Sequence, residues 1–167
     1  DKWDVPHIKA SSNEALMFCL GSIHAQDRGW QMDFLRRVAY GRSAEVYGSH
    51  MLRTDFFLRI LSFHRVAQRW VKALPKQQPK EYRLLRFYVW GVNHGFKALR
   101  SGPKRPYLWK KRGSYQPPAW RLEDTMMILL LQSFNQTRRS FTRDIQHARL
   151  RLQLGEKRYR ELYGADD

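Results

Sequence analysis

The sequence predicts a mainly α-helical chain with one short N-terminal strand. Three observations carry that expectation. Apolar side chains recur at three- and four-residue spacing through most of the chain, and period-two alternation is confined to residues 5–10. Four of the seven prolines, at positions 103, 106, 117 and 118, are gathered in one segment, leaving long stretches free of helix breakers.

The elements follow in order. Val5-Pro6-His7-Ile8-Lys9-Ala10 alternates weakly and reads as a strand, which Pro6 limits to an edge or a strand start because it has no amide hydrogen. Ser11 followed three residues later by Glu14 is a capping-box pattern, so a helix is expected to start before Ala15, Leu16, Phe18 and Cys19. It continues through Trp30, Phe34 and Val38, with one break near Gly29, to Gly41, a residue that tolerates positive φ after a helix end. Thr54 is expected to cap a second helix carrying Phe57, Leu58, Leu61, Val66 and Trp70 and ending before Pro75. A third runs from Lys80 to about Leu99, with Gly91 and Gly95 as weak points. Residues 101–119 read as an ordered or clamped loop. A fourth helix is expected from about Glu123 to Leu154, kinked near Ser133 to Thr137, and a last short one before Gly164.

Composition bounds the function. At 167 residues, 43% hydrophobic and 14% aromatic, the chain is one domain or part of one, too apolar for a disordered basic tail. Its longest apolar run, Met126 to Leu131, falls far short of a membrane span, and the single cysteine, Cys19, excludes an internal disulfide. The opening Asp1-Lys2-Trp3-Asp4 lacks a Met and an apolar segment, so any targeting peptide is expected to have been removed or never to have existed. The formal net charge is +16, and residues 61–120 carry 14 basic and one acidic side chain. Interleaved with Trp70, Tyr82, Tyr88, Trp90, Tyr107, Trp109 and Tyr115, this stretch has the content of a single-stranded nucleic-acid groove. The same content suits a surface that docks an acidic partner or is simply solvated.

Catalytic spacings are missing. The chain has no GxSxG elbow, no phosphate-binding glycine loop, no HExxH and no CxxC, and its histidines (7, 24, 50, 64, 94 and 147) form no i, i+4 pair. A self-sufficient enzyme is not expected. One stretch is denser in polar groups: His24-Ala25-Gln26-Asp27-Arg28-Gly29-Trp30-Gln31-Met32, followed by Arg36-Arg37, Gly41-Arg42, Ala44-Glu45 and Gly48. Among buried aromatics, Asp27 is expected to pair with Arg37 or Arg42 in a structural network.

These residues, with Val5-Pro6-His7-Ile8 before them, resemble the α subunit of the penicillin acylase (penicillin amidase) family of N-terminal nucleophile hydrolases. Downstream, Asp55, Phe57 and Arg59, then Gly91-Val92-Asn93, then a Trp-x-x-x-Asp segment from Trp120 to Asp124 fit the family's next blocks, so the resemblance covers roughly residues 3–155.

The resemblance implies that a precursor cuts itself into this α chain and a larger β chain. The β chain's N-terminal serine is nucleophile and, through its amino group, its own base. No catalytic residue is then expected on this chain. Residues 1–167 would form one unit wrapped on the β chain in an obligate heterodimer, with most of a four-layer αββα core supplied by β. Gly164-Ala165-Asp166-Asp167 would mark an excised spacer. By position, Ser133, Phe134, Gln136 and Thr137 would line the acyl-binding pocket. Relatives that hydrolyse phenylacetyl penicillins carry a Met and an Arg-Phe pair on this turn, so the smaller residues here imply a longer or different acyl group, as in relatives that cleave acyl-homoserine lactones or aliphatic penicillins. Family members often bind one structural calcium, and Asp144, allowing a one-residue insertion, matches the single α-chain carboxylate. No organic cofactor is expected, and the family places such enzymes in the periplasm or outside the cell. The remaining alternative is the basic, aromatic nucleic-acid-binding module, whose mark would be salt-sensitive binding of single strands.

Overall fold

The structure is a computed structural model that describes residues 2–3, 5–102, 105–111, 113 and 115–164. Its elements are α1 (Asn13–Ala39), α2 (Ala44–Tyr47), a 3-10 turn (Ser49–Met51), α3 (Leu52–Leu61), α4 (Phe63–Gln77), α5 (Pro79–Ser101), α6 (Tyr107–Lys111) and α7 (Leu122–Tyr163). The chain divides into two compact units, residues 1–130 and 131–167.

The mainly helical expectation holds, but no strand forms among the described residues, and residues 5–10 have no regular structure. A strand is defined by its ladder to a second strand, and no such ladder forms among the described residues. The cap of α1 also shifts by one residue. Ser12, in an extended conformation, accepts from the Ala15 amide at 3.1 Å, and Glu14 is ion-paired with Arg83 at 3.0 Å instead of closing a capping box. The expected break near Gly29 is present as a non-helical Arg28 (φ −124°, ψ 15°). The end of α1 is a Schellman motif: the amides of Gly41 and Arg42 donate to the carbonyls of Val38 (2.9 Å) and Arg37 (2.8 Å).

The largest departure is in the glycines, read from sequence as weak points. The first unit is built on α1 packed along α5. A Cβ on Gly91 would lie 1.9 Å from the Phe18 carbonyl oxygen, and one on Gly21 would lie 2.2 Å from that of Tyr88. The two backbones approach closely enough that only hydrogen fits, so these glycines are the contact itself. Beside it lies a core of Ala25, Val89, Val92, Phe96, Leu99, Trp109 and Trp120, with Phe96 edge-on to both tryptophans at 5.9 and 6.0 Å.

The second predicted helix is two. Ser62, in the left-handed conformation (φ 54°), separates α3 from α4, Met51 rather than Thr54 occupies the N-terminal cap, and Pro75 is accommodated inside α4 close to its end. The 101–119 segment is clamped, as expected, and holds the short α6. Arg100 donates to the Pro117 carbonyl at 2.6 Å, and Arg105 to those of Gly113 and Tyr115 at 2.9 and 2.8 Å. The helix from residue 122 does not kink at 133–137. Its break is at Gly155 (φ 74°, ψ 156°), a conformation essentially restricted to glycine. Beyond that break the chain returns on itself, with Tyr159 buried against His147 (Nδ1 to hydroxyl 2.5 Å) and under Arg151 at 4.5 Å. Gly164 is the last residue described, and the rest of the expected excision point, residues 165–167, lies outside the described residues. Among the described residues no helix is long and apolar enough to cross a membrane.

Candidate functional site

The segments that carry the resemblance meet in the first unit. Arg36, 5% exposed, extends from α1 to the 117–124 segment. Its guanidinium donates to Asp124 at 3.1 Å, to the carbonyls of Pro118 (3.2 and 3.3 Å) and Ala119 (3.2 Å), and to Asp33 one turn back on its own helix. It also lies over the Trp120 ring at 5.1 Å. Asn93 of α5 holds the same segment through its backbone: its side-chain oxygen accepts from the Trp120 amide at 2.7 Å, and its amide group donates to the Trp120 carbonyl at 2.9 Å. Asp124 then accepts from the Arg121 amide at 2.9 Å and caps α7.

Asp33 is fully buried and is the anionic centre of the cluster. It accepts from Arg36, Arg37 and the Tyr115 hydroxyl. Burial pushes the Tyr115 hydroxyl well above its ordinary range, and its hydrogen bond to the Asp33 carboxylate adds to the shift. Tyr40 is pushed up to about 12, first by burial and then by the Asp124 charge. Arg37 is held above its ordinary value: burial works against its charge, but Asp33 and Tyr115 outweigh it. Arg37 continues to Glu45 at 3.2 Å, which Arg42 grips through two nitrogens at 2.7 and 3.0 Å. Arg59 donates to the Gly41 carbonyl at 2.7 Å. Asp55 accepts from Ser43 N (2.9 Å), Ser43 Oγ (2.5 Å) and Ala44 N (2.8 Å), fixing the start of α2. Burial alone would raise the Asp55 carboxyl, but these hydrogen bonds hold it below its usual range.

The expected polar network therefore exists around a different acid. Asp27 is exposed, and Asp33 takes the place expected for it. The missed signal was local: Asp33 precedes Arg36 and Arg37 by three and four residues, one helical turn. Tyr115, which composition places in a basic, aromatic surface, is tied instead to Asp33 and Arg37. An open cleft of about 420 Å³ lies on this cluster, walled by Tyr40, Arg42, Pro118, Arg121 and Asp124. Each guanidinium there is engaged by an acid, a carbonyl or a tyrosine, so the arrangement holds the fold rather than presenting a nucleophile or a base.

The expected acyl-contacting residues lie in the second unit, on α7. Ser133, Gln136 and Thr137 are exposed and Phe134 is half-buried. Thr137 Oγ1 donates to the carbonyls of Ser133 (3.1 Å) and Phe134 (3.2 Å), which engages its hydroxyl within the helix. Phe134 stands edge-on to Phe141 at 6.2 Å, and Phe141 and Ile145, 42% and 40% exposed, extend the apolar strip along the helix. Asp144 is exposed on the same helix. Among the described residues no group of three or more His, Cys, Asp or Glu side chains could hold a metal ion.

Part of the charge expected to form a nucleic-acid groove has internal duties. Arg100 and Arg105 are spent on loop carbonyls, and Trp109 is buried. Arg86, between Tyr82 (5.8 Å) and Trp90 (5.1 Å), keeps the cation–aromatic pairing on the surface.

Comparison with known proteins agrees with this frame. The chain is 38% identical over 72% of its length to penicillin acylase 2 proenzyme of Pseudomonas sp. (strain SE83), covering 15% of that protein. It is 35% identical over 80% of its length to the acyl-homoserine lactone acylase QuiP of Pseudomonas fluorescens (strain Pf0-1), covering 16% of it. A thermostable penicillin G acylase from Alcaligenes faecalis superposes with a TM-score of 0.78 at 28% identity, covering all of this chain and 90% of that one. The chain thus spans about 15% of the length of the curated relatives it matches. The penicillin amidase family profile matches residues 1–166, and this chain belongs to that family.

Proposed function

We propose that this chain is the α subunit of a heterodimeric acylase that hydrolyses an acyl amide, of the penicillin side-chain or N-acyl-homoserine lactone type. The observation that carries the reading is the fold: the chain superposes over its whole length on a solved penicillin G acylase chain with a TM-score of 0.78, and the family profile matches residues 1–166. The missing catalytic spacings fit a nucleophilic serine, with its amino group as base, at the start of a β chain. The periplasm or the cell exterior is the corresponding location.

On this reading Ser133, Phe134, Gln136 and Thr137 contact the acyl group, and the apolar strip of Phe141 and Ile145 continues the surface they offer. A carboxylate is the right donor for calcium, but Asp144 supplies one of the six to eight oxygens such an ion takes. The β chain would provide the others, and the ion would brace the subunits rather than react.

The test begins with intact mass and N-terminal sequencing of everything that co-purifies after expression of the complete gene. A second chain several times larger, beginning with serine, is expected. Its absence overturns the subunit assignment. For the pocket, kcat/KM is measured for acyl amides of increasing chain length with native protein, Ser133→Phe and Thr137→Phe. Each excluded methylene forfeits about 0.8 kcal/mol, roughly fourfold in affinity per carbon, so the loss should grow with acyl length. Short substrates should keep most of their kcat. A uniform loss, or none, would make this turn packing. For the ion, Asp144→Asn should lower the calcium content measured by elemental analysis, and unchanged content removes the assignment.

A further inference from the structure

The cleft on the Arg36 cluster carries cations that the framework above does not use. Arg36, Arg37, Arg42 and Arg121 line it against a single carboxylate, Asp124. Asp33 answers Arg36 and Arg37 from within the protein. Arg42 and Arg121, with side chains 59% and 64% exposed, are answered less completely. Arg42 gives Nε and Nη2 to Glu45. Arg121 gives Nη2 to the Tyr40 hydroxyl at 3.2 Å and stands 3.9 Å from Asp124 Oδ1, beyond a hydrogen bond. Glu123 acts on Arg121 only as a charge at longer range. Among the described residues Arg42 Nη1 and Arg121 Nε and Nη1 donate to no protein atom.

These donors are held in place. Two bonds to Glu45 fix the Arg42 plane, and the Tyr40 hydroxyl and ring, the latter 6.0 Å from the guanidinium carbon, steady Arg121. Hydrogen bonds to Glu45 hold Arg42 above its ordinary value, and the charges of Arg37 and Arg121 work against it. The two exposed guanidiniums therefore repel each other in one cleft, and a negative charge between them removes that repulsion. The complementary group is a carboxylate, whose two oxygens match the guanidinium fork. Its source follows from the size and charge of the chain. This chain is about 15% of the length of the curated relatives it matches, so most of such a protein lies outside it. At net charge +16 it favours acidic groups on whatever covers it. A free anion would give up its translational freedom for one partly answered pair of cations, whereas a carboxylate on a chain already packed here gives up none.

We infer that this cleft receives a carboxylate of the β chain, seated between Arg42 and Arg121. The inference rests on the subunit reading and names the point at which this chain takes an acid from its partner. The contact attaches the partner to the joint where Arg36 ties α1 to the start of α7.

The test is zero-length cross-linking with a water-soluble carbodiimide, which joins a lysine amine to a carboxylate in direct contact and leaves arginine unreacted. The protein is purified from its complete gene, with whatever chain accompanies it, carrying Arg121→Lys or Arg42→Lys; both keep the charge. Peptide mass mapping is expected to link the new lysine, at either position, to the same Asp or Glu of the β chain. Arg121→Gln should speed release of β in sub-denaturing urea, followed by sedimentation velocity, by roughly 30-fold or more, because truncating one partner of a buried charge pair acts on dissociation. Changing the mapped carboxylate to its amide should do the same, and the two changes together should add little. Tyr40→Phe removes the internal hydrogen bond to Arg121 and keeps the charge, so it should release β as native protein does. The inference is overturned if both chains co-purify and neither lysine links to β, if the two link to different β residues, or if they link only to Glu45, Glu123 or Asp124. It is also overturned if Arg121→Gln releases β at the native rate, or if Tyr40→Phe releases it as fast as Arg121→Gln, which would make the effect internal to this chain. If no second chain co-purifies, the subunit reading falls and this inference with it, whereas failed cross-linking with β present overturns this inference alone.

Discussion

Replacing Arg36 by methionine should be among the most damaging substitutions in this chain. The guanidinium joins Asp33 to Asp124, two carboxylates that are 0% and 1% exposed, and satisfies the carbonyls of Pro118 and Ala119 as well. Methionine fills comparable space without any donor, so two buried acids lose the cation between them. Removing one partner of a buried ion pair typically costs about 3–5 kcal/mol. Against a total stability of roughly 5–15 kcal/mol, that is enough to deplete the folded state. Arg36→Lys keeps the charge but not the planar fork, so it should cost less than methionine and still lose the carbonyl contacts. Urea denaturation of the complete protein at neutral pH, followed by circular dichroism, measures each loss. Adding Asp124→Asn to Arg36→Met should recover part of it, because one stranded charge is gone, giving a coupling of about 0.5–3 kcal/mol in the double-mutant cycle. Arg36→Met within about 1 kcal/mol of native protein, or a cycle with no coupling, would refute the account of Arg36 as the joint between α1 and the start of α7.

Further outcomes follow from the same structure. Gly91→Ala places a methyl 1.9 Å from the Phe18 carbonyl oxygen and should force α1 and α5 apart, costing about 1–3 kcal/mol or more by denaturation; a neutral result would mean that the helices do not touch there. Asp27→Ala, on an exposed position, should change stability by less than about 0.5 kcal/mol in the same assay. Asp55→Asn should cost about 1.5–3 kcal/mol at neutral pH through its hydrogen bonds from Ser43 and Ala44. Because the folded Asp55 carboxyl lies below its unfolded value, its stabilisation is present above the unfolded value near ~4 and is lost as pH falls through the folded one, so Asp55→Asn should flatten the acid limb of a stability–pH curve. Tyr40 has the opposite sign. Raised from 10.0 to about 12, it contributes stability that is complete below the unfolded value and is lost as pH rises through the folded one, a loss that Tyr40→Phe should remove from alkaline titrations.

By itself the sequence determined the helical class, the span of most helices, the clamped 101–119 segment and the family. Each of these rests on local information: apolar periodicity, a glycine after a helix end, clustered prolines and ordered short blocks. The Schellman end at Gly41 was legible because it depends on residues 37–42 alone. Tertiary structure decided whatever depends on a distant neighbour. Gly91 and Gly95 looked weak within α5, and only the passage of α1 at Phe18 and Ser22 turns the missing Cβ into a requirement. Asp27 and Asp33 stand on one helix, and only the arrival of Tyr115, with Arg36 reaching on to Asp124, selects Asp33 as the buried acid. Residues 5–10 alternate like a strand but take no regular structure, because a sheet needs a second strand and alternation alone cannot supply one. The blocks that identify the family are, for the same reason, mostly contacts with one another: Arg36 with Asp124, Asn93 with Trp120 and Arg59 with Gly41. Sequence shows such residues as separate signals, because a hydrogen bond between positions 27 or 88 residues apart leaves no local trace until the chain has folded.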